Sequence, residues 1–156
     1  MAIGDICNRE VIIAYKQESL SDAIKLMRKY HVGDLVIVED KRQGRSPVGI
    51  LTDRDILISV IGENLDPDDI VIEDVMSCEL LTAHTEDTLT DALASMRKKG
   101  VRRVPVVDDA YNLVGILTTD DIIGVFAEEI GNLAQLIHNE QENEASRTVY
   151  TEALAD

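Results

Sequence analysis

Hydrophobic and polar residues follow one another along this chain in an order that predicts short strands and amphipathic helices. Over the first 61 residues the pattern predicts strand, helix, strand, strand and helix, at 11–14, 20–30, 35–38, 48–51 and 53–61. The first of these helices places Leu20, Ala23, Ile24 and Met27 on one face and charged residues on the other. A small sheet combined with helices predicts an α+β fold.

The same order of elements then occurs a second time. Shifting the sequence by 69 positions aligns residues 5–40 with 74–109, and 12 of these 36 positions are identical. Beyond residue 40 the shift falls to 66, because the first copy has a longer polar loop. Residues 48–57 then match 114–123 at seven of ten positions. Two copies are too few for an open array, so we expect two β-α-β-β-α repeats packed with pseudo-twofold symmetry.

A polar linker separates the two copies. Gly62, Pro67 and four nearby acidic residues are typical of a segment between a helix and a new strand. We therefore expect the first repeat at residues 1–68, the second at 69–128, and a helical extension with an acidic tail at 129–156.

The last helix continues its apolar stripe beyond the second repeat. The stripe has spacings of four, four, three and four and consists of Ile122, Phe126, Ile130, Leu133 and Ile137. Such a long helix with an apolar face needs a partner surface, and a self-complementary surface predicts a homodimer.

Composition and charge exclude several classes of function. Aromatic residues make up only 3% of the chain, so its core is aliphatic. A net charge of −15 disfavours nucleic acid and anionic membranes as partners. Cys7 and Cys78 have no metal-binding spacing. Because no stretch reaches eighteen apolar residues and the first residues do not resemble a targeting signal, we expect a cytoplasmic protein.

Each copy contains Val-Gly-Ile-Leu-Thr followed by an Asp at the third position after the Thr. The pairs are Thr52 with Asp55 and Thr118 with Asp121. A helix capping box explains this spacing by itself, and Ser19 with Asp22 and Thr88 with Asp91 have the same spacing. Spacing alone therefore favours a structural role and leaves a binding role open.

The repeat, the strand order and the paired Gly-Ile-Leu-Thr-x-x-Asp segments together resemble the CBS family. Over residues 1 to about 128 the chain looks like a stand-alone CBS domain pair, or Bateman module, of bacterial or archaeal type. The resemblance implies two clefts that often bind adenine nucleotides. It also implies that Asp55 and Asp121 bind the ribose hydroxyls, with Thr52 and Thr118 nearby. An ionised carboxylate suits a ribose because it accepts from both hydroxyls.

The resemblance also identifies candidate groups for a phosphate. Arg102 and Arg103 precede the strand that contains Pro105, where the family frequently holds phosphate-contacting basic residues, and guanidinium groups suit that role. The first copy has Gly33 and Asp34 at the equivalent positions, so we expect two unequal clefts with one strong site.

Two further candidates have structural alternatives. Arg54 lies between Thr52 and Asp55 and could reach a cleft, but a solvated surface arginine is the alternative. Thr82 lies close to where family ligands insert their base, and a structural threonine in a strand explains it equally well.

No catalytic constellation is visible. The chain has no glycine-rich phosphate loop, and His31, His84 and His138 are not near a candidate nucleophile, so we do not expect an enzyme. The leading hypothesis is a regulatory module that binds an adenosyl ligand (AMP, ADP, ATP, S-adenosylmethionine or NAD), requires no cofactor, and acts on an unidentified regulated protein. The alternative is a ligand-free interaction protein that uses the pair as a rigid scaffold.

Overall fold

The computed structural model describes the backbone of residues 1–153 and the side chains of residues 1–147. The helices in this range are α1 (Ile3–Ile6), α2 (Leu20–Tyr30), α3 (Asp53–Ile56), α4 (Leu89–Lys99) and α5 (Thr119–Ala153). The strands in this range are β1 (Ile13–Tyr15), β2 (Asp34–Lys41), β3 (Gly44–Thr52), β4 (Ala83–His84), β5 (Arg103–Val107) and β6 (Leu113–Thr118). The α+β class and the long C-terminal helix predicted from the sequence are confirmed.

The two repeats form two three-stranded sheets of the same design. Their orders are β1-β2-β3 and β4-β5-β6, and in each sheet the first two strands are parallel while the last two are antiparallel. Each antiparallel pair has a register shift, between Ile37 and Val38 in one sheet and between Val106 and Val107 in the other. These positions are equivalent under the 69-residue shift, so even the irregularities of the strands repeat.

The long helices of the two repeats begin and end in the same way. The Ser19 hydroxyl accepts from the Asp22 amide at the start of α2, and Thr88 accepts from a first-turn amide at the start of α4. The residues after the two helices, His31 (φ 55°) and Gly100 (φ 72°), both adopt the left-handed conformation that ends a helix. The predicted helix at 20–30 is confirmed.

Aliphatic side chains fill the first repeat and join it to the second. The core of the first repeat packs α2 against its sheet and includes Leu20, Ala23, Met27, Leu35 and Ile37. A separate buried cluster combines Val36 and Val38 of β2 with Ile116 of β6. The second cluster contains strand residues of both sheets, so the two repeats pack through their sheets.

The first residues of each repeat pair with the sheet of the other repeat. Asn8 and Ile116 exchange two backbone hydrogen bonds of 2.9 and 2.8 Å, which attaches the start of the first repeat to the second. Ser77 and Ile50 exchange the reciprocal pair at 2.9 and 3.2 Å, which attaches the start of the second repeat to the first. Each sheet is therefore extended by a segment from the start of the other repeat, and the sequence pattern did not predict this exchange.

Two glycines make the exchange possible. A Cβ atom at Gly115 would lie 2.7 Å from the Cys7 sulfur and 2.8 Å from the Asn8 carbonyl oxygen. A Cβ atom at Gly49 would lie 2.9 Å from the Ser77 carbonyl oxygen. Since real Cβ contacts are longer, a side chain at either position would force the crossing segment away.

The final helices of the repeats differ in length and form. The helix predicted at 53–61 consists of α3 followed by a π-helical turn at Leu57–Ile61. Its counterpart α5 continues without interruption to Ala153, and residues 154–156 of the predicted tail lie outside the described residues. The chain divides into two compact units, residues 1–119 and the helix from Asp120 onward.

The apolar stripe of α5 differs by one position from the predicted one. Ile122 is buried with 3% of its surface exposed, whereas Ile123 is 64% exposed. The exposed stripe therefore contains Ile123, Phe126, Ile130, Leu133 and Ile137, with spacings of three, four, three and four. This regular heptad pattern is typical of a coiled-coil seam. No helix in the described part of the chain is both long and apolar enough to cross a membrane.

Candidate ligand-binding site

Thr52 and Asp55 form a complete capping box where β3 ends and α3 begins. The Thr52 amide and hydroxyl both donate to Oδ2 of Asp55, at 2.9 and 2.7 Å, and the Asp55 amide donates to the Thr52 hydroxyl at 3.2 Å. The structural interpretation of this spacing is therefore correct for the first repeat. Among the described residues no donor reaches Oδ1 of Asp55, so capping leaves this oxygen available to a hydroxyl of a ligand.

The equivalent pair of the second repeat spans the end of β6 and the start of α5. Thr118 is the last residue of β6 and pairs with Arg103 across the sheet. Asp121 lies in the first turn of α5 and is partly buried. A carboxylate in the first turn of a helix is favoured by the helix dipole, as at Asp55.

Arg103 forms an ion pair with Asp34, its own counterpart in the other repeat. The guanidinium Nη1 lies 2.8 Å from Oδ1 of Asp34, and both side chains are largely shielded, with 31% and 17% of their surfaces exposed. Arg103 begins β5 opposite Thr118, and Asp34 begins β2 opposite Thr52. The ion pair therefore joins the two sheets at the edge where both motif threonines lie.

The electrostatic balance at Asp34 is unfavourable for its charged form. Burial raises the pKa of the Asp34 carboxyl above its ordinary value; the Arg103 guanidinium opposes this rise, and the Asp53 carboxylate adds to it. Desolvation is the largest of these effects and the attraction of Arg103 is the next, as is common for shielded ion pairs.

The other candidate cations lie on the surface. Arg102 and Arg54 are exposed, and neither forms an ion pair with the residues that the structure describes. The carbonyl oxygen of Arg102 accepts from the Thr119 amide at 2.8 Å, just as that of Gly33 accepts from the Asp53 amide at 2.9 Å. The backbones of Arg102 and Gly33 therefore hold the turns next to the motifs, while the side chains of Arg102 and Arg54 are exposed to solvent.

The two remaining candidates differ in environment. Pro105 is buried within β5 and pairs with Ile116. Thr82 lines a cavity of about 310 Å³ together with Asp91, Ser95 and other residues of α4 and β4. None of the other predicted binding residues lines this cavity, but Thr82 directly precedes β4, which pairs with β5, the strand that begins at Arg103.

Sequence reasoning missed a basic cavity to which both repeats contribute. The cavity has a volume of about 180 Å³, and its lining residues are Arg9, Val11, Ile13, Arg45, Leu113 and Val114. Arg9 donates to the Gly4 carbonyl at 3.0 Å, and Arg45 lies 3.4 Å from Asp40. These arginines belong to no motif and are 36 positions apart, so the repeat comparison contained no signal for them.

The described side chains include no group of three or more His, Cys, Asp or Glu residues that could hold a metal ion. The polar groups of the site are thus carboxylates, hydroxyls and guanidinium groups. These groups can bind a ribose or an anion.

Comparisons with known proteins identify relatives of this chain. MK0525, an uncharacterized protein of Methanopyrus kandleri, is 34% identical over 125 residues, which cover 80% of this chain. The matched region spans only 62% of that relative's length. The CBS domain-containing protein YhcV of Bacillus subtilis is 34% identical over 121 residues, 78% of this chain and 82% of the relative.

A solved structure is similar over most of the chain. The CBS domain pair of protein MJ0100, in complex with 5′-methylthioadenosine and S-adenosyl-L-methionine, superposes with a TM-score of 0.71 and 31% identity. It covers 83% of this chain and 98% of its own. The family model of the CBS domain matches residues 3–62 and 72–128, one match for each repeat. The chain therefore belongs to the CBS domain family.

Proposed function

We propose that this chain is a non-catalytic regulatory module that binds an adenosyl-containing small molecule between its two repeats. The observation that carries the proposal is the edge where the two sheets meet, at which the ion pair of Asp34 and Arg103 joins the strands opposite Thr52 and Thr118. A ligand bound at this edge would contact both halves. Binding would then favour one packing of the halves over another, which is how a ligand shifts a conformational equilibrium.

The motif carboxylates support a ribose as part of the ligand. Oδ2 of Asp55 accepts two hydrogen bonds in the capping box, and Oδ1 can accept one from a hydroxyl of the ligand. Asp121 begins the equivalent helix of the second repeat. Hydrogen bonds to a charged acceptor contribute about 1.5–3 kcal/mol each, enough to select a ribose.

The ligands of a similar protein support the adenosyl class. The MJ0100 pair binds 5′-methylthioadenosine and S-adenosyl-L-methionine, and adenine nucleotides such as AMP, ADP or ATP share the adenosyl group with them. We propose a cytoplasmic location, where such metabolites occur.

The first test is a thermal-shift panel of adenosine, 5′-methylthioadenosine, S-adenosylmethionine, AMP and ATP. A ligand at a hundred times its dissociation constant stabilises the folded state by about 2.7 kcal/mol. For a chain of this size we expect the melting temperature to rise by about 5–10 °C. If no adenosyl compound raises the melting temperature at millimolar concentration, the proposal is wrong.

The second test separates ligand binding from capping. We expect Asp121→Ala and Asp55→Ala to weaken binding at their respective clefts by about one to two decades. Asp22→Ala is the matched control, because Asp22 closes the same Ser-x-x-Asp spacing at the start of α2. Equal loss of stability in all three variants, with unchanged affinity in calorimetric titration, would leave the motif with a capping role only.

A second function, self-association, is favoured by the exposed seam of α5. Phe126, Ile130, Leu133 and Ile137 are 48%, 66%, 62% and 53% exposed. Their spacing places them at successive a and d positions of a heptad, where isoleucine at a and leucine at d favour two-stranded association. We propose that two copies of the chain pair through this seam, which would also serve a ligand-free scaffold.

A further inference from the structure

The ion pair between Asp34 and Arg103 joins equivalent positions of the two repeats. The two residues are 69 positions apart, the same shift that aligns the repeats, and each begins the central strand of its sheet. Equivalent positions can touch only where they lie next to the pseudo-twofold axis. If the repeats were identical, two identical side chains would meet here, whereas this chain has one anion and one cation 2.8 Å apart.

The surroundings of Arg103 are negatively charged. Asp34 is in direct contact with the guanidinium, and Asp53 is close enough to influence the Asp34 carboxyl. Arg102 and Arg54, the other cations suggested by the sequence, are exposed. A phosphate that approached Arg103 would have to displace a carboxylate that is already in place, and it would face a second carboxylate beside it.

The charge of the substituent at the 5′ position of an adenosyl ligand therefore determines how tightly the ligand binds. From this geometry, and resting on the adenosyl-binding function proposed above, we infer that Asp34 acts as an internal anion on Arg103, so that the module selects adenosyl ligands without a phosphate over adenine nucleotides. A neutral or cationic substituent at the 5′ position leaves the ion pair intact. A phosphate must break it, and the repulsion by Asp34 and Asp53 adds to that cost.

The test compares 5′-methylthioadenosine with AMP, which share adenine and ribose and differ at the 5′ position, where one carries a neutral methylthio group and the other a phosphate. Calorimetric titration of the wild-type chain should show tighter binding of 5′-methylthioadenosine. Asp34→Asn removes the charge with little change of shape and releases Arg103. We expect this variant to bind AMP about ten- to a hundredfold more tightly, with 5′-methylthioadenosine affinity changed less than threefold.

Two variants control for other effects of the substitution. Asp69→Asn removes one negative charge from an exposed position in the linker, so it reports the effect of net charge alone. It should leave both affinities unchanged. Asp34→Asn combined with Arg103→Gln should lose the gain in AMP affinity, because the released guanidinium is then missing. Asparagine has nearly the same shape as aspartate, and the circular dichroism spectrum and melting temperature of Asp34→Asn check that the variant folds.

The outcomes separate this inference from the proposed function. If 5′-methylthioadenosine binds but AMP affinity is the same in wild type and Asp34→Asn, the selectivity inference is overturned and adenosyl binding stands. The same holds if wild type binds AMP more tightly than 5′-methylthioadenosine. If neither compound binds to any variant, the proposed function and the inference both fail. Both the inference and the proposed function are supported if Asp34→Asn binds AMP more tightly and the added Arg103→Gln substitution abolishes this gain in affinity.

Discussion

Substitution of Gly115 by alanine tests whether the exchange of N-terminal segments holds the two repeats together. The added Cβ would lie 2.7 Å from the Cys7 sulfur, which can move aside by rotation, and 2.8 Å from the Asn8 carbonyl oxygen, which cannot. The backbone at Asn8 must therefore shift. This shift would strain or break the two hydrogen bonds between Asn8 and Ile116.

The expected cost follows from these contacts. Overpacking in a tight site costs about 1–3 kcal/mol. Each weakened backbone hydrogen bond adds about 0.5–1.5 kcal/mol. We expect Gly115→Ala to lower the free energy of unfolding by about 2–4 kcal/mol. For a chain of this size that corresponds to a fall in melting temperature of about 5–15 °C.

Two measurements follow the change. Calorimetry or circular dichroism gives the melting temperature of each variant. Thiol labelling gives a local readout, because Cys7 is buried beside the substituted position while Cys78 is exposed. In the wild type only the Cys78 thiol should react quickly. In Gly115→Ala the Cys7 thiol should react much faster than in the wild type, because the segment that buries it is displaced.

Gly131→Ala is the matched control for the glycine substitution. A Cβ at Gly131 meets nothing within 4 Å, and the residue lies in the middle of α5, where alanine is favoured by about 0.5–1 kcal/mol. This variant should be at least as stable as the wild type. The reasoning is refuted if Gly115→Ala melts within 2 °C of the wild type, a bound of about 0.5–1 kcal/mol, and Cys7 stays protected.

Three further predictions concern a cap, a carboxyl group and the helical seam. Thr88→Ala removes the hydroxyl that accepts from a first-turn amide of α4, and should cost about 1 kcal/mol in denaturant unfolding; an unchanged midpoint would contradict the cap. A backbone hydrogen bond from Asn112 holds the pKa of Asp108 below its ordinary value of 3.8. The ionised Asp108 carboxylate therefore contributes its full stabilisation above pH 3.8 and loses it as the pH falls through the lower pKa of the folded state. The stability difference between wild type and Asp108→Ala should therefore shrink on acidification in unfolding titrations, and a constant difference would disprove this role. Ile130→Asp places a charge in the exposed seam of α5 and should convert a dimer to a monomer in light scattering, whereas a wild-type chain that is already monomeric at micromolar concentration would refute self-association.

The sequence by itself determined the elements of the fold and their repetition. Strand and helix periods are local properties, so the pattern located α2 at Leu20–Tyr30 and the order of elements in each repeat. The Thr-x-x-Asp spacing predicted the capping box at Thr52 and Asp55 because a cap involves residues only three apart. The paired motifs led to the family for the same reason, since each motif is short and contiguous.

The stripe of α5 shows where a local pattern reaches its limit. Ile122 and Ile123 are adjacent, and the helical spacing to Phe126 allows either of them to belong to the apolar stripe. Only the three-dimensional surroundings determine that Ile122 is buried and Ile123 exposed. The period of a helix identifies a face to within about one residue, while burial depends on what lies against that face.

Two features were determined only by the tertiary structure. They are the pairing of charged groups at the candidate site and the exchange of segments between the repeats. The repeat alignment treats Asp34 and Arg103 as equivalent positions in two separate copies. In the folded chain they form an ion pair, with 2.8 Å between Oδ1 of Asp34 and Nη1 of Arg103. Asn8 likewise pairs with the second repeat, and Arg9 and Arg45 approach one cavity from distant parts of the sequence. A repeat reveals which positions are equivalent, but contact between equivalent positions depends on the symmetry axis, whose place is set by the packing of side chains far apart in sequence.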